Sequence, residues 1–290
     1  MSRRISWVDV GITIFVLAAA ILCILPFIHI TAISFSSNNA AAAGWVGLWP
    51  KQFTTSSYEF VMQRTEFWRA MWVSFQRVAI GGALSLLMCI LVAYPLSKES
   101  RQFRMRTVYA WIFFLTILFE GGLIPWYMVI KQLGLINSIW ALVLPVAVPV
   151  FNIVLLLNFF RQLPKELGEA AFVDGAGHWT LLWRIYVPVS APAIATITLF
   201  IIVQHWNSWF DGLILMNHPD KYPMQSYLHT VVINRDISLL SMSDQSAFQH
   251  ISERTLKSAQ ILLGALPVLV VYPFLQKYFA KGIIIGSVKG

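Results

Sequence analysis

Residues 169–188 read EAAFVDGAGHWTLLWRIYVP, and this stretch lies between two long apolar segments of the chain. Residues 165–174 have helix-forming composition and follow Pro164, which suits the first turn of a helix. Gly175 and Gly177 come next, and glycine accepts the positive φ at which many helices end. Beyond them, aromatic and leucine side chains recur at spacings of three and four, which predicts a second, amphipathic helical piece. The segment is therefore predicted to be a helix, a glycine turn and a second helix.

The composition is that of a membrane protein. Of 290 residues, 58% are hydrophobic and 12% are charged, and the mean hydropathy is +0.68, whereas a soluble domain is about 25% charged. A helix needs about 20 apolar residues to cross a bilayer. The sequence predicts one all-α transmembrane domain, residues 1–290, with a polar loop at 161–190 and six spans at about 8–35, 71–96, 107–130, 139–160, 191–215 and 258–279.

The distribution of basic residues predicts that both termini lie in the cytoplasm. With this orientation the inner segments have a higher density of Lys and Arg than the longer outer segments, as membrane proteins generally do. The inner segments are 1–7, 97–106, 161–190 and 280–290, and the outer ones are 36–70, 131–138 and 216–257. The short loop 97–106 is the strongest indicator, because it carries Lys98, Arg101, Arg104 and Arg106. The net charge of +8 is thus assigned to membrane topology and not to nucleic acid.

The first span and the outer loops leave alternatives open. The apolar run after Arg4 is longer than the roughly 7–15 residues of a signal-peptide core, so a retained span is predicted, with cleavage near residues 40–44 as the alternative. The aromatic residues of 36–70 predict an interfacial belt or a contact with an extracytoplasmic partner. The long polar loop 216–257 is predicted to be a recognition loop.

No pattern for nucleotide binding, metal binding or catalysis occurs in the chain. The phosphate-binding pattern G-x-x-x-x-G-K-[ST] is absent, and no two histidines stand four residues apart. Cys23 and Cys89 lie in apolar runs and are predicted to be small core residues without a disulfide or a metal. The sequence therefore predicts no cofactor and no catalytic residue in this chain.

The segment at 161–190 resembles the EAA motif in the permease subunits of bacterial ABC importers. That motif is Glu-Ala-Ala, three residues, Gly, nine residues, Ile, one residue and Leu-Pro. The matching residues, with every spacing kept and a valine in place of the leucine, are Glu169, Ala170, Ala171, Gly175, Ile185, Val187 and Pro188.

Further stretches are similar to the carbohydrate, maltose-permease-like branch of that family. They are YPLSK at 94–98, GLIP at 122–125, LGLIN at 133–137, WAL at 140–142, WNSWFD at 206–211 and the C-terminal KGIIIGSVKG at 281–290. Within the branch, the chain looks similar to permeases of alginate-oligosaccharide importers.

The resemblance implies a type I ABC importer permease: a bundle of six transmembrane helices with a cytoplasmic coupling helix, in the bacterial inner membrane. A separate dimer of ATP-binding subunits would bind ATP and Mg²⁺, and an extracytoplasmic solute-binding protein would deliver an oligosaccharide. A second homologous permease would complete the cavity, as a heterodimer or a homodimer, with membrane lipid around both. The tail 282–290 would reach between the ATPase subunits. The residues implied at the ATPase joint are Glu169, Ala170, Ala171, Asp174, Gly175, Ala176 and Gly177.

Polar residues inside the predicted spans are candidates for the substrate path, because they are costly in a bilayer. Arg77 and Glu120 would each lie about 12–15 Å from the outer face, and we expect them to pair or Arg77 to face an acidic sugar. Asn152, Gln204, Asn207 and Asp211 are candidates for binding sugar hydroxyls. Trp206 and Trp209 would stack on sugar rings or pack in the bundle.

Two other classes of protein are alternatives. A secondary transporter or channel would favour two similar halves and buried acid relays, and no convincing internal repeat is visible. A membrane-embedded enzyme would need a nucleophile with a base, or a metal set, at one depth, and the sequence shows neither.

Overall fold

Apolar runs of this length form helices because a helix satisfies its own backbone hydrogen bonds, which the bilayer interior requires. The computed structural model describes residues 7–233 and 252–287. The helices in these ranges are α1 (Trp7–Ser34), α2 (Asn38–Ala42), α3 (Ser56–Met62), α4 (Thr65–Ser97), α5 (Arg106–Leu118), α6 (Leu123–Gln132), α7 (Ile139–Val143), α8 (Val150–Gln162), α9 (Lys165–Val173), α10 (His178–Leu181), α11 (Val187–Val189), α12 (Ala191–Asn207), α13 (Phe210–Leu215), α14 (Met224–Ile233) and α15 (Glu253–Ser287). A π-helical turn at Leu182–Tyr186 joins α10 to α11.

Three stretches are long and apolar enough to cross a membrane as single helices: α1, α4 and Glu253–Val271 of α15. Three further pairs of helices are apolar enough together but are bent at a short break, which makes up to six crossings if each pair is one span. The prediction of an all-α membrane protein is confirmed in the part of the chain that the structure describes. Two of these breaks lie within predicted spans, and the third, an 82° bend at Ser190, lies where the predicted polar loop meets the fifth span.

The third predicted span, 107–130, is two helices that meet at 114°. Helix α5 ends at Leu118 and α6 begins at Leu123, and the intervening Gly122 has φ +82°. This backbone conformation is available to glycine at little cost and ends a regular helix. Glu120 therefore lies in a break and is exposed, not inside a continuous span.

The fourth and fifth predicted spans are also interrupted. Pro145 and Pro149 lie between α7 and α8, and proline cannot donate the backbone hydrogen bond that a helix interior needs. The axis of Ile139–Val146 differs from that of Val150–Gln162 by 45°. The fifth span, 191–215, consists of α12 and α13 with extended backbone at Ser208 between them.

The chain divides into two compact units, residues 1–68 with 228–266 and residues 69–227 with 267–290. In the first, the predicted outer loop 36–70 is folded and not open. The ring of Phe35 stacks on Phe53 and Tyr58, with centroids 5.4 and 4.7 Å apart. The hydroxyl of Thr255 donates to Asn38 Oδ1 at 3.1 Å and ties the start of α15 to α2. Of the predicted recognition loop 216–257, residues 234–251 lie outside the described part, so its role stays a prediction.

The second unit contains the main hydrophobic core, which lies where α4, α8 and α12 meet the segment that follows α9. Its fully buried members include Ile153, Leu156, Leu181 and Ile201. Cys89 belongs to this core, as predicted, but Cys23 is exposed on α1, so the prediction is wrong for Cys23. Helix α1 is apolar on all sides and exposed along most of its length. Its composition therefore could not show whether a given residue, such as Cys23, lies in the protein core or on the surface.

Candidate functional site

The segment 161–190 forms the predicted helix, glycine turn and second helix. Helix α9 ends at Val173, and Gly175 follows at φ +80°. The Gly175 amide donates to the Phe172 carbonyl at 3.0 Å, and the Ala176 amide donates to the Ala171 carbonyl at 2.9 Å. This pair of bonds is the Schellman motif, which satisfies carbonyls that the end of a helix leaves open. Glycine in the left-handed conformation is therefore a structural requirement of this turn.

The seven residues predicted at the ATPase joint are not all exposed on the surface. Glu169, Ala170, Asp174, Gly175 and Gly177 are exposed.

Ala171 is instead buried in the hydrophobic core, and Ala176 is half-buried against it. The expectation that these two alanines allow another surface to approach is thus corrected: their small size lets α9 lie close to its own bundle. Sequence reasoning also missed Val173, which is 87% exposed at the tip of the segment, and Phe172, which is 40% exposed beside it.

The second helical piece presents two faces. Leu182 and Tyr186 are buried in the core, whereas Trp179 and Trp183 are exposed. Sequence spacing placed all four on one stripe. The π-helical turn at 182–186 widens the helix by about one residue per turn and so departs from the regular spacing of three and four.

A lysine fastens this segment to the end of α4. Lys98 Nζ donates to the hydroxyl of Tyr186 at 2.9 Å and lies 4.1 Å from the centre of that ring. The same ammonium lies 4.4 Å from the centre of the Tyr94 ring, whose hydroxyl is 3.0 Å from His178 Nδ1. Burial lowers the pKa of Lys98 to about 8, and the two ring faces offset part of this penalty through cation–π attraction. The sequence motif contained Tyr94 and Lys98, but nothing in it indicated that they meet Tyr186.

A second, exposed contact supports the same joint. Lys165 at the start of α9 forms an ion pair with Glu99, just beyond α4. The hydrogen bond and charge of each partner raise the pKa of Lys165 and lower the pKa of Glu99. Because both side chains are exposed, we expect this pair to orient the segment more than it stabilises it.

A buried ion pair lies at the break between α12 and α13. Arg77 of α4 is 1% exposed, and both terminal nitrogens of its guanidinium donate to the carboxylate of Asp211, one of them at 3.1 Å. The same carboxylate accepts from the Ser208 hydroxyl and from the Gly212 amide, each at 2.9 Å. The predicted pairing of Arg77 with Glu120 is therefore wrong, because Asp211 satisfies the guanidinium and Glu120 lies in an exposed break.

A histidine packs beside this pair. His205 of α12 is 2% exposed, and its Nε2 lies 3.3 Å from the Ser85 hydroxyl of α4. A Cβ atom at Gly81 would lie 2.5 Å from His205 Cε1, so only glycine allows the two helices to approach this closely. Sequence reasoning missed His205, since a histidine without a partner at helical spacing gives no signal.

The remaining candidates for the substrate path divide by exposure. Asn152 and Trp206 are buried, and the Trp206 ring packs edge-on against Phe75 with centroids 5.6 Å apart. These two therefore help to build the bundle. Gln204 and Asn207 are exposed near the break. Trp209, in the break itself, is 40% exposed.

A comparison with known protein families identifies the family of this chain. Residues 102–285 match the family described as binding-protein-dependent transport system inner membrane component, which covers more than half of the chain. The chain belongs to this family. It is a permease component of an ABC transporter and a component of the inner membrane, which decides against the alternatives of a secondary transporter or a channel.

Individual relatives extend the match over nearly the whole permease. The chain is 40% identical over 282 residues to Protein LplC of Bacillus subtilis (strain 168), covering 97% of this chain and 95% of the relative. It is 38% identical over 276 residues to the polygalacturonan/rhamnogalacturonan transport system permease protein YtcP of the same organism, covering 95% and 96%. A crystal structure of a bacterial ABC transporter involved in the import of the acidic polysaccharide alginate contains a chain that is 31% identical. It superposes with a TM-score of 0.88 over 96% of this chain and 99% of that one. The resemblance stated from the motifs is thus confirmed.

Proposed function

We propose that this permease moves an oligosaccharide into the cytoplasm, driven by ATP hydrolysis in a separate subunit. The observation that supports this most directly is the exposed C-terminal end of α9. An exposed helix ends there in a Schellman turn, and its root is fastened to α4 and to the core. A helix held in this way can transmit a push from a bound partner into the bundle.

The docking surface in this proposal consists of Glu169, Ala170, Val173, Asp174 and Gly175. Two of these residues offer exposed carboxylates to basic groups of a partner, and Val173 offers an apolar tip. ATP and Mg²⁺ would bind to a dimer of ATP-binding subunits, and α9 would seat in a cleft of one of them. Gly177 contributes the exposed start of α10 at the edge of this surface. Ala171 and Ala176 support the surface from beneath.

The orientation follows from the same role. The α9 segment must face the cytoplasm, which places the basic loop 97–106 on that side and, with six crossings, both termini there as well. On the outer side a solute-binding protein would deliver the cargo, in agreement with the family description. A second permease, either a relative or a second copy, would supply the other half of the cavity, with membrane lipid around the pair.

For the cargo we propose an acidic oligosaccharide built from uronic acids. The relatives named for polygalacturonan and alginate support this choice. Arg77 is not available to such a sugar in this conformation, because the carboxylate of Asp211 neutralises it. We therefore assign the Arg77–Asp211 pair to positioning the break. Gln204, Asn207 and Trp209, which are exposed at the break, are the residues that we expect to meet the sugar.

The test is a charged substitution at the tip of the segment. Val173→Asp changes a residue that is 87% exposed, so the fold of the permease should be unaffected. We expect the variant to lose its ATPase subunits on purification and to lose ATP-driven uptake of labelled oligogalacturonate by the reconstituted complex. Leu133→Asp is the matched control, because Leu133 is an equally apolar residue, 66% exposed, in the segment predicted to lie outside. Normal ATPase association of Val173→Asp would contradict the proposed docking surface.

A further inference from the structure

A cavity of about 400 Å³ lies between the end of α4, helix α5 and helix α8. Most of its wall is apolar and includes Trp111, Phe114 and Val154. Two arginines, Arg106 and Arg161, line it as well, and no acidic side chain belongs to the wall. The volume falls within the roughly 300–1,000 Å³ of ordinary ligand pockets. An apolar chamber with two cations and no counter-charge indicates an amphipathic anion as its ligand.

The end of α4 holds both guanidinium groups in place. Arg106 Nη1 donates to the Lys98 carbonyl at 3.1 Å, and Arg161 Nη2 donates to the Leu96 carbonyl at 3.2 Å. These carbonyls are available because α4 ends at Ser97 and the last turn of a helix lacks intrahelical donors. The bonds to α4 leave most of the five N–H donors of each guanidinium for another ligand.

The two cations have an unfavourable environment without an anion. Arg106 Nε is buried and has no hydrogen-bond partner within the described ranges. Arg161 lines the same cavity, so two positive charges face one space and repel each other. The nearest acidic residue along the loop, Glu99, is already paired with Lys165. An anion between the two guanidinium groups would relieve their repulsion and supply the missing acceptor.

We propose that this cavity binds an acidic phospholipid, with its phosphate between Arg106 and Arg161 and an acyl chain along Trp111, Phe114 and Val154. The proposal rests on the proposed function for its orientation: the end of α4 then faces the cytoplasm, and the arginines lie at the headgroup level of the inner leaflet. Basic pockets between transmembrane helices on that side are suited to anionic headgroups. The Lys98 carbonyl accepts from Arg106, and the Lys98 ammonium donates to Tyr186, so a bound lipid would also hold in place the segment 161–190, which we call the coupling segment.

The experiment uses the complete transport complex, purified in detergent and stripped of lipid. Phosphatidylglycerol or phosphatidylcholine is added, and the retained lipid is counted by native mass spectrometry. We expect selective retention of phosphatidylglycerol, and a loss of affinity of at least about ten-fold for Arg106→Gln and for Arg161→Gln, because each removes a charge-assisted bond to phosphate. Arg104→Gln is the matched control: Arg104 is exposed on the same loop and does not line the cavity.

Several results would overturn the inference. One is equal retention by the wild type and the two glutamine variants, and another is an equal loss in Arg104→Gln. Displacement of phosphatidylglycerol by excess inorganic phosphate would mean that the site selects an anion and not a lipid. Ala110→Phe fills the cavity without a change of charge, so it tests the acyl chamber if a glutamine variant fails to fold.

A photo-reactive residue in place of Asn158, in the cavity wall, shows whether the cavity holds a lipid or is covered by the second permease. An adduct with the mass of a lipid supports the inference, and a cross-link to the second permease contradicts it. Uptake and ATPase association, measured on the same samples, keep this inference distinct from the proposed function. A wild-type complex that keeps its ATPase subunits but does not retain phosphatidylglycerol selectively refutes only the lipid site. A wild-type permease that retains phosphatidylglycerol but binds no ATPase subunit refutes only the coupling role.

Discussion

The substitution Asp211→Asn should strongly destabilise the permease, because it leaves Arg77 buried without a counter-charge. Arg77 is 1% exposed, and the Asp211 side chain is 13% exposed. Removal of one partner of a buried ion pair costs about 3–5 kcal/mol. Asparagine keeps one oxygen that accepts from the guanidinium, and the Ser208 carbonyl remains 3.4 Å from Arg77 Nη1. We therefore expect the lower end of that range, about 3 kcal/mol.

The assay is thermal unfolding of the purified complex, together with the amount of permease in the membrane. A loss of about 3 kcal/mol corresponds to a decrease of roughly 5–10 °C in the unfolding midpoint. The double variant Arg77→Met with Asp211→Leu should recover most of this loss, since apolar replacement of a whole buried pair is often close to neutral. Glu120→Gln is the control, because it neutralises an exposed acid in a neighbouring helix break. An Asp211→Asn variant as stable as the wild type, or a double variant as unstable as the sum of the single ones, would refute the reasoning.

Three further predictions concern backbone space and charge in the same unit. Gly81→Ala should lower the free energy of unfolding by about 1–3 kcal/mol through overpacking against His205. Gly82→Ala is the control, because its Cβ would meet nothing nearer than 4.0 Å. Thermal unfolding of both variants checks this, and adding His205→Ala should restore stability only to Gly81→Ala. Gly168→Ala should raise stability by about 0.5–1 kcal/mol, because the added Cβ lies 3.9 Å from Leu181 Cδ2 and alanine favours the helix; an unchanged or lower midpoint would contradict this. Burial lowers the pKa of Lys98 from 10.5 to about 8, so the unfolded chain binds this proton more tightly and stability should rise as pH increases through that interval. Lys98→Met should remove that rise in a comparison of unfolding midpoints across the interval, and an identical slope in both proteins would exclude Lys98 as its source.

The sequence was most informative where local chemistry determines structure. The glycine turn after α9 was predictable because the positive φ of Gly175 and the Schellman bonds depend on residues only a few positions apart. The positions of the long helices followed from their apolar length. The helix breaks were less visible, since Gly122 and Pro149 lie within runs that are apolar enough to count as single spans.

Contacts between distant helices were the part that the sequence did not reveal. Arg77 and Asp211 are 134 positions apart, and both stood among the candidates, but depth along a predicted span favoured Glu120 as the partner. That estimate assumed a straight third span, which the break at Gly122 removes. In the same way, no spacing rule links Lys98 to Tyr186, since their contact depends on how the coupling segment packs against the end of α4.

Helix α4 connects the two clusters that the proposed mechanism needs. Arg77 and Tyr94 are separated along it by 17 residues, or about 26 Å at 1.5 Å per residue, which is close to the roughly 30 Å thickness of the bilayer core. At one end the helix is ion-paired to the break between α12 and α13, and at the other it is bonded to the coupling segment. Between these points its residues pack tightly in the core against α8 and α12. Because packed interfaces resist gradual deformation, we expect a displacement of the coupling segment to move α4 as a unit. The buried pair would then carry that movement to Ser208 and Trp209, where the exposed residues of the proposed sugar path lie.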